Sequence, residues 1–178
     1  LPDDVSVVWA RRVNDKFHAR FKAELRRYRY VIFNRETRCS VLNRKVTWVR
    51  EPLNSSKMHA AAQYLVGEHD YSSFRALSCQ ASHPVRTIHS IVVSRSDALI
   101  FIDITANAFL HHMVRNIAGV LIAIGKGGKP ASWVSKLLEQ RDRRVGGVTA
   151  PADGLYLITV HYPREFAIPE LDNIFLFG

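Results

Sequence analysis

Arg115 is the side chain whose surroundings most invite chemistry. It falls in a stretch, Phe109 to Ile124, where Leu110, Met113, Val114, Ile117, Leu121 and Ile124 recur at helical spacing. At 100 degrees per residue its guanidinium projects about 140 degrees from the centre of that stripe, among Ala118, Gly119 and Ile122. Neighbours so small and apolar indicate a second helix face covered at close backbone approach. A covered arginine needs a carboxylate or a phosphate, because an unpaired buried charge is costly. A structural ion pair or a snorkelling surface arginine fits the same pattern.

Two further runs interleave cations with rings. In Arg26-Arg27-Tyr28-Arg29-Tyr30 a strand puts Arg26, Tyr28 and Tyr30 on one face and Arg27 and Arg29 on the other. Bases stack on aromatic faces while arginine holds phosphates, so such a strand can face RNA; it can equally be a half-buried strand with a charged solvent face. Phe17-His18-Ala19-Arg20-Phe21 is similar in kind. His111 and His112 do not suit one metal, since adjacent helical residues diverge by about 100 degrees. No CxxC or HExxH spacing occurs, and no zinc site is expected. Gly125-Lys126-Gly127-Gly128-Lys129-Pro130 lacks the Ser/Thr of a phosphate loop and follows a helix, so it reads as a helix-terminating loop. Asp70 and Asp103 are the attractive carboxylates. Asp70 can simply cap a turn, and Asp103, between Ile102 and Ile104, can be a buried partner of an arginine. Residues alone thus point to an RNA-binding surface without an assured nucleophile.

The elements that would position these residues follow from periodicity. Strands are expected at Val5 to Val13, Arg26 to Phe33, Lys45 to Arg50, Arg86 to Ser94, Ala98 to Ala106 and Gly154 to Tyr162. Helices are expected at about 56–66, after the capping residues Asn54-Ser55-Ser56, at Phe109 to Ile124, and at Ala131 to Gln140. His69 to Pro84 reads as a long loop, and the tail from Pro163 as lying over the body. Together these predict an α+β fold on a largely antiparallel sheet.

Composition agrees with one soluble domain: 178 residues, 47% apolar and 23% charged, which excludes disorder and collagen-like repeats. No segment is long and apolar enough for a membrane helix, and the acidic opening Leu1-Pro2-Asp3-Asp4 does not read as a secretory leader. Cys39 and Cys79 make no disulfide framework and are expected reduced. The net charge of +9 is uneven: residues 1–50 carry 13 basic and 5 acidic side chains, residues 51–178 carry 12 and 11. A localised anionic partner is implied, with nucleic acid first and a solvated basic face second.

The runs FHARF at 17–21, RRYRY at 26–30, GEHDYSSFR at 67–75, ANAFLHHMVRN at 106–116 and GLYL at 154–157 resemble, in order and spacing, the TruA-type tRNA pseudouridine synthases. The resemblance covers essentially the whole chain. It implies a pseudouridine synthase fold and isomerisation of uridine at positions 38, 39 and 40 of the tRNA anticodon arm. It also implies no cofactor or metal, a cytoplasmic site of action and a homodimer. Tyr28 matches the family's tyrosine near the target base, and Arg115 the arginine paired with its aspartate nucleophile. Phe17, His18, Arg20, Phe21 and Arg26, with Ser78, Cys79, Gln80 and Ser82, match tRNA-contacting segments. The motif that carries the aspartate has no counterpart here. Residues 1–178 are therefore expected to be one C-terminal domain of such an enzyme, inactive alone. The alternative is a non-catalytic RNA-binding module on the same scaffold.

Overall fold

Leu25–Asn34 forms β1, whose run of tyrosines and β-branched residues favours a strand and whose two faces go to different layers. The structure, a computed structural model, describes residues 1–3 and 5–169. The other strands are β2 (Thr47–Val49), β3 (Gly67–Asp70), β4 (Val85–Ser96), β5 (Leu99–Ala106) and β6 (Leu155–His161). They form one sheet in the order β2-β1-β5-β4-β3, with β6 also alongside β1. One edge of β1 pairs antiparallel with β5 from Arg26 to Phe33. Its other edge is shared: Leu25 to Tyr30 pairs antiparallel with β6, and Ile32 to Asn34 pairs parallel with β2. The fold is α+β on a mixed, mostly antiparallel sheet.

Helices α1 (Ser55–Ala62), α2 (Met113–Gly125) and α3 (Trp133–Gln140) cover one face of the sheet. Tyr30 and Ile32 of β1, Ile88 and Ile91 of β4, and Ile100, Ile102 and Ile104 of β5 meet Met58, Ile117, Leu121 and Leu137 there in one continuous core. The opposite face carries a smaller cluster of Val31, Phe33, Val46 and Phe101. Beside it Asp103 accepts from Arg29 Nε at 3.0 Å and Nη2 at 3.1 Å, with Arg27 at 3.4 Å. The Arg29 guanidinium also lies 4.9 Å from the Phe101 ring centroid. The alternation read from the sequence is therefore the observed one.

Three expectations are corrected. Val5 to Val13 is not a strand: the segment pairs with no edge among the described residues, and Val7 and Val8 are exposed. An extended apolar run gains little without a partner edge. The stretch after His69 is not all loop, because Gly67–Asp70 pairs with β4 and Ser72–Phe74 forms a short 3-10 turn. Finally, α2 starts at Met113 rather than Phe109, since His112 adopts a left-handed φ of 59° that a right-handed helix cannot contain. Of the aromatic tail, Phe166 is buried against Phe17, while residues 170–178 lie outside the described residues. No helix of the described residues is long and apolar enough to cross a membrane.

Segment 146–154 joins α3 to β6 and crosses the second face of α2. Ala150 N donates to Arg115 O at 3.1 Å, and Arg143 donates to Gly147 O at 3.0 Å and Thr149 Oγ1 at 2.9 Å. Asn116, almost fully buried, ties the same strap down: its Oδ1 accepts from Arg143 at 3.0 Å and from Thr149 at 2.6 Å. Gly119 allows the approach, because a Cβ there would lie 1.8 Å from Val148 O. The close backbone contact inferred from Ala118 and Gly119 is this strap.

Candidate functional site

At the N-terminal end of α2 a cleft of about 970 Å³ opens between the start of β1, the 107–112 turn, the 75–86 segment and the 20–26 segment. Tyr28 and Arg115 both line it. Tyr28 comes from the helix-facing side of β1 and meets Phe109 edge-on, with ring centroids 5.0 Å apart. Arg115 is held by one nitrogen, Nε donating to Ala150 O at 2.8 Å, and no carboxylate pairs with it among the described residues. Its charge is felt at the buried Tyr30 phenol, which burial pushes up to about 12 against the lowering pull of the Thr47 hydrogen bond and Arg115. Tyr30 stays neutral and donates a hydrogen bond to Pro151 O at 2.8 Å, fixing the strap again.

The 107–112 turn supplies the rest of the wall. Asn107 Oδ1 accepts from Thr87 N at 3.1 Å and Ala108 N at 2.7 Å, which turns the chain out of β5. His111 and His112 then stack, with centroids 3.9 Å apart and planes 33° apart. Because they precede the helix, the helical divergence expected of them does not apply. Burial, with His111 and Arg115 nearby, holds His112 below the usual imidazole range. Among the described residues no three His, Cys, Asp or Glu side chains form a group that could hold a metal.

The other expected residues divide. Arg20, Phe21, Arg26, Ser78, Cys79 and Gln80 line the cleft, whereas Phe17, His18 and Ser82 do not. Phe17 packs on Tyr162 and Phe166, and His18 Nδ1 accepts from Arg20 N at 3.1 Å, so both shape the loop that presents Arg20 and the exposed Phe21. Arg26 is committed to carbonyls, donating to Ala23 O, Asn107 O and Arg20 O. Ser78 Oγ lies 3.4 Å from His111 Nδ1. Burial pushes the Cys79 thiol up, but backbone donors at Ala81 and His111, with Arg75 and Arg86, outweigh it and hold it below its usual value.

Arg86, Asn107, Phe109, His111 and His112 also line the cleft, and sequence reasoning assigned them no role there. The aromatic and imidazole residues carried a signal, being clustered between a strand and a helix. Arg86 carried none.

Among the described residues the lining contains Arg20, Arg26, Arg86 and Arg115 with two histidines, and no aspartate or glutamate. Both carboxylates singled out in the sequence lie elsewhere. Asp70 caps the turn at Ser72 N, 2.8 Å away, and faces Arg141 at 3.7 Å. Asp103 sits on the opposite sheet face. Asp103→Asn is expected to lower stability by about 1–3 kcal/mol, the cost of breaking a part-buried charge-assisted pair. The cleft, on the other face of the sheet, should be undisturbed by the change. Denaturant unfolding checks the first and the chemical shifts of the cleft residues the second; shifts that move across the cleft in folded protein would tie Asp103 to the site after all.

Comparison with known proteins gives a family and several close relatives. A family model described as tRNA pseudouridine synthase matches residues 61–163. The chain is 57% identical over 173 residues to tRNA pseudouridine synthase A of Nitrosococcus oceani, covering 97% of this chain and 67% of the relative. It is 53% identical over 171 residues to the Hydrogenovibrio crunogenus protein of the same name, covering 96% and 65%. To that of Pseudomonas aeruginosa it is 55% identical over 170 residues, covering 96% and 60%. The chain thus spans about two thirds of the length of the relatives it matches.

Proposed function

The chain belongs to the tRNA pseudouridine synthase family, and from that premise we propose that it is the tyrosine- and arginine-bearing part of an enzyme that isomerises uridine to pseudouridine in the anticodon arm of tRNA, at positions 38, 39 and 40. One observation supports this most: a cleft of four arginines and two histidines, with a tyrosine beside them and no carboxylate in its lining among the described residues. Such a cleft suits a phosphate backbone. It also leaves Arg115 open to a carboxylate contributed from outside the described residues, and an arginine beside that group would keep it ionised. In the same reading the working species is a cytoplasmic homodimer and needs no cofactor.

The chemistry assigns each part a task. The bond from the ribose to N1 breaks, the uracil turns while detached, and a bond to C5 forms; C5 then loses its proton and N1 carries one in the product. The target base must leave its stack and be held during the turn. Tyr28, braced edge-on by Phe109, offers a ring against the base. Arg115, anchored through Nε, keeps its two terminal nitrogens for the carboxylate. The arginines around them hold the flanking phosphates.

A second reading, a non-catalytic RNA-binding module, is favoured by the same missing carboxylate. Tritium release from tRNA carrying 5-tritiated uridine separates the two. The 178-residue chain alone is expected to release none. Release on adding an aspartate-bearing segment from a relative supports the enzyme. Salt-sensitive tRNA binding with no release under either condition supports the module, and release by the chain alone overturns the assignment of an external carboxylate.

A further inference from the structure

Arg86, at the start of β4, is a cleft arginine that combines a fixed guanidinium with a buried nitrogen left without a partner. Its Nη1 donates to His83 O at 3.0 Å and Val85 O at 2.6 Å and lies 3.3 Å from His83 Nδ1, so the plane of the guanidinium is set. Its Nε is buried and has no hydrogen-bond partner. None of the ion pairs among the described residues includes it. Burial pulls its pKa below the usual guanidinium value, and the group that acts in the other direction is the Cys79 thiol. A fixed, partly desolvated cation without a counter-ion is unfavourable, and an arriving anion removes that penalty.

The cleft that Arg86 lines also has the donors an anion wants. Ser78 and His111, 3.4 Å apart, bring a hydroxyl and an imidazole to the same lining. Arg26 differs, since three backbone carbonyls already occupy its guanidinium. Arg95, on the same strand, is likewise satisfied by Asn34 Oδ1 at 2.8 Å and Leu53 O at 2.7 Å, and it lies outside the cleft.

We infer that Arg86, with Ser78 and His111, forms a subsite for a backbone phosphate of the RNA that enters beside Tyr28 and Arg115. The inference rests on the RNA reading of the cleft. Arg86 contributes position and charge rather than base recognition, because a phosphate contact carries no sequence information.

The test is binding of a synthetic anticodon stem-loop RNA to the 178-residue chain across a range of sodium chloride. Arg86→Gln should weaken binding by about 5- to 30-fold at low salt and reduce the slope of log K against log salt by about one. Arg95→Gln should leave the slope unchanged. If Arg86→Gln lowers the melting temperature but keeps the wild-type slope, Arg86 is a brace for the 83–85 turn and the subsite is wrong. Should that variant not fold, the wild-type chain labelled at arginine decides: the Arg86 Nε–Hε resonance should shift on RNA addition, and an unmoved resonance overturns the inference. Absence of salt-dependent binding by wild type would remove the RNA reading itself, a distinct result.

Discussion

Arg115→Lys is expected to cut tritium release at least a hundredfold, measured with the aspartate-bearing segment supplied, although a positive charge is kept. The magnitude follows from the loss of an oriented charge at a reacting carboxylate, about 3 kcal/mol or more in transition-state stabilisation. Arg115 uses Nε on Ala150 O and leaves both terminal nitrogens free to form a fork. A lysine has one nitrogen for both tasks and cannot present two parallel donors to a carboxylate. Stability should fall by only about 1 kcal/mol, the worth of one hydrogen bond to the strap. A kcat within a few-fold of wild type would show that any cation serves and that the anchored geometry is irrelevant. Arg115→Met should be lower still.

Gly119→Ala carries the second large effect, and its sign is opposite to the usual one. Replacing a helical glycine by alanine ordinarily stabilises by about 1 kcal/mol. At Gly119 the new Cβ would sit 1.8 Å from Val148 O and 3.1 Å from its carbonyl carbon. Both are backbone atoms of a strap held by Arg143, Thr149 and Asn116, so no rotamer change relieves the clash. The strap has to move, and with it go the Ala150–Arg115 hydrogen bonds in both directions. A loss of about 2–4 kcal/mol is expected from overpacking and broken hydrogen bonds. In a protein of this size that lowers the melting temperature by roughly 5–15 °C. Gly128→Ala is the control, because the nearest atom to its added Cβ, Ala123 O, is an ordinary 3.5 Å away. Equal melting temperatures for wild type and Gly119→Ala would mean the strap is free to lift from α2.

The contrast between these residues shows what a sequence can disclose. The β4–β5 hairpin and both faces of β1 were legible because alternation is a local property: Tyr30 and Ile32 face the helices while Arg27 and Arg29 reach Asp103. Asp103 as an arginine's partner was legible for the same reason. The strand Gly67–Asp70 was not, since its four residues are glycine and polar and only pairing with β4 holds them extended. The start of α2 was misread because Phe109 and Leu110 continue the apolar period across a turn set by Asn107 and by the left-handed His112. Arg26 fell on the expected face, but which atoms take its protons depends on Asn107, far along the chain. Arg86 was invisible for a related reason. An orphaned nitrogen is a statement about what is absent nearby, and composition does not encode absence.

The shared edge of β1 has a consequence for how the protein is made. Translation delivers β1 by residue 34, but β5 begins at Leu99 and the last strand to cover its other edge begins at Leu155. At roughly 5–20 residues per second, the nascent chain spends several seconds with the β5-facing edge of Tyr30, Val31, Ile32 and Phe33 unpaired. An open edge that rich in aromatic and β-branched residues is a template for other chains. Only Ile32 to Asn34 has a partner near in sequence, β2 at Thr47–Val49; the edges that wait for β5 and β6 cannot close early, because loop closure over such separations precedes any stabilising contact. β1 is therefore the segment that chaperones at the ribosome have most reason to shield.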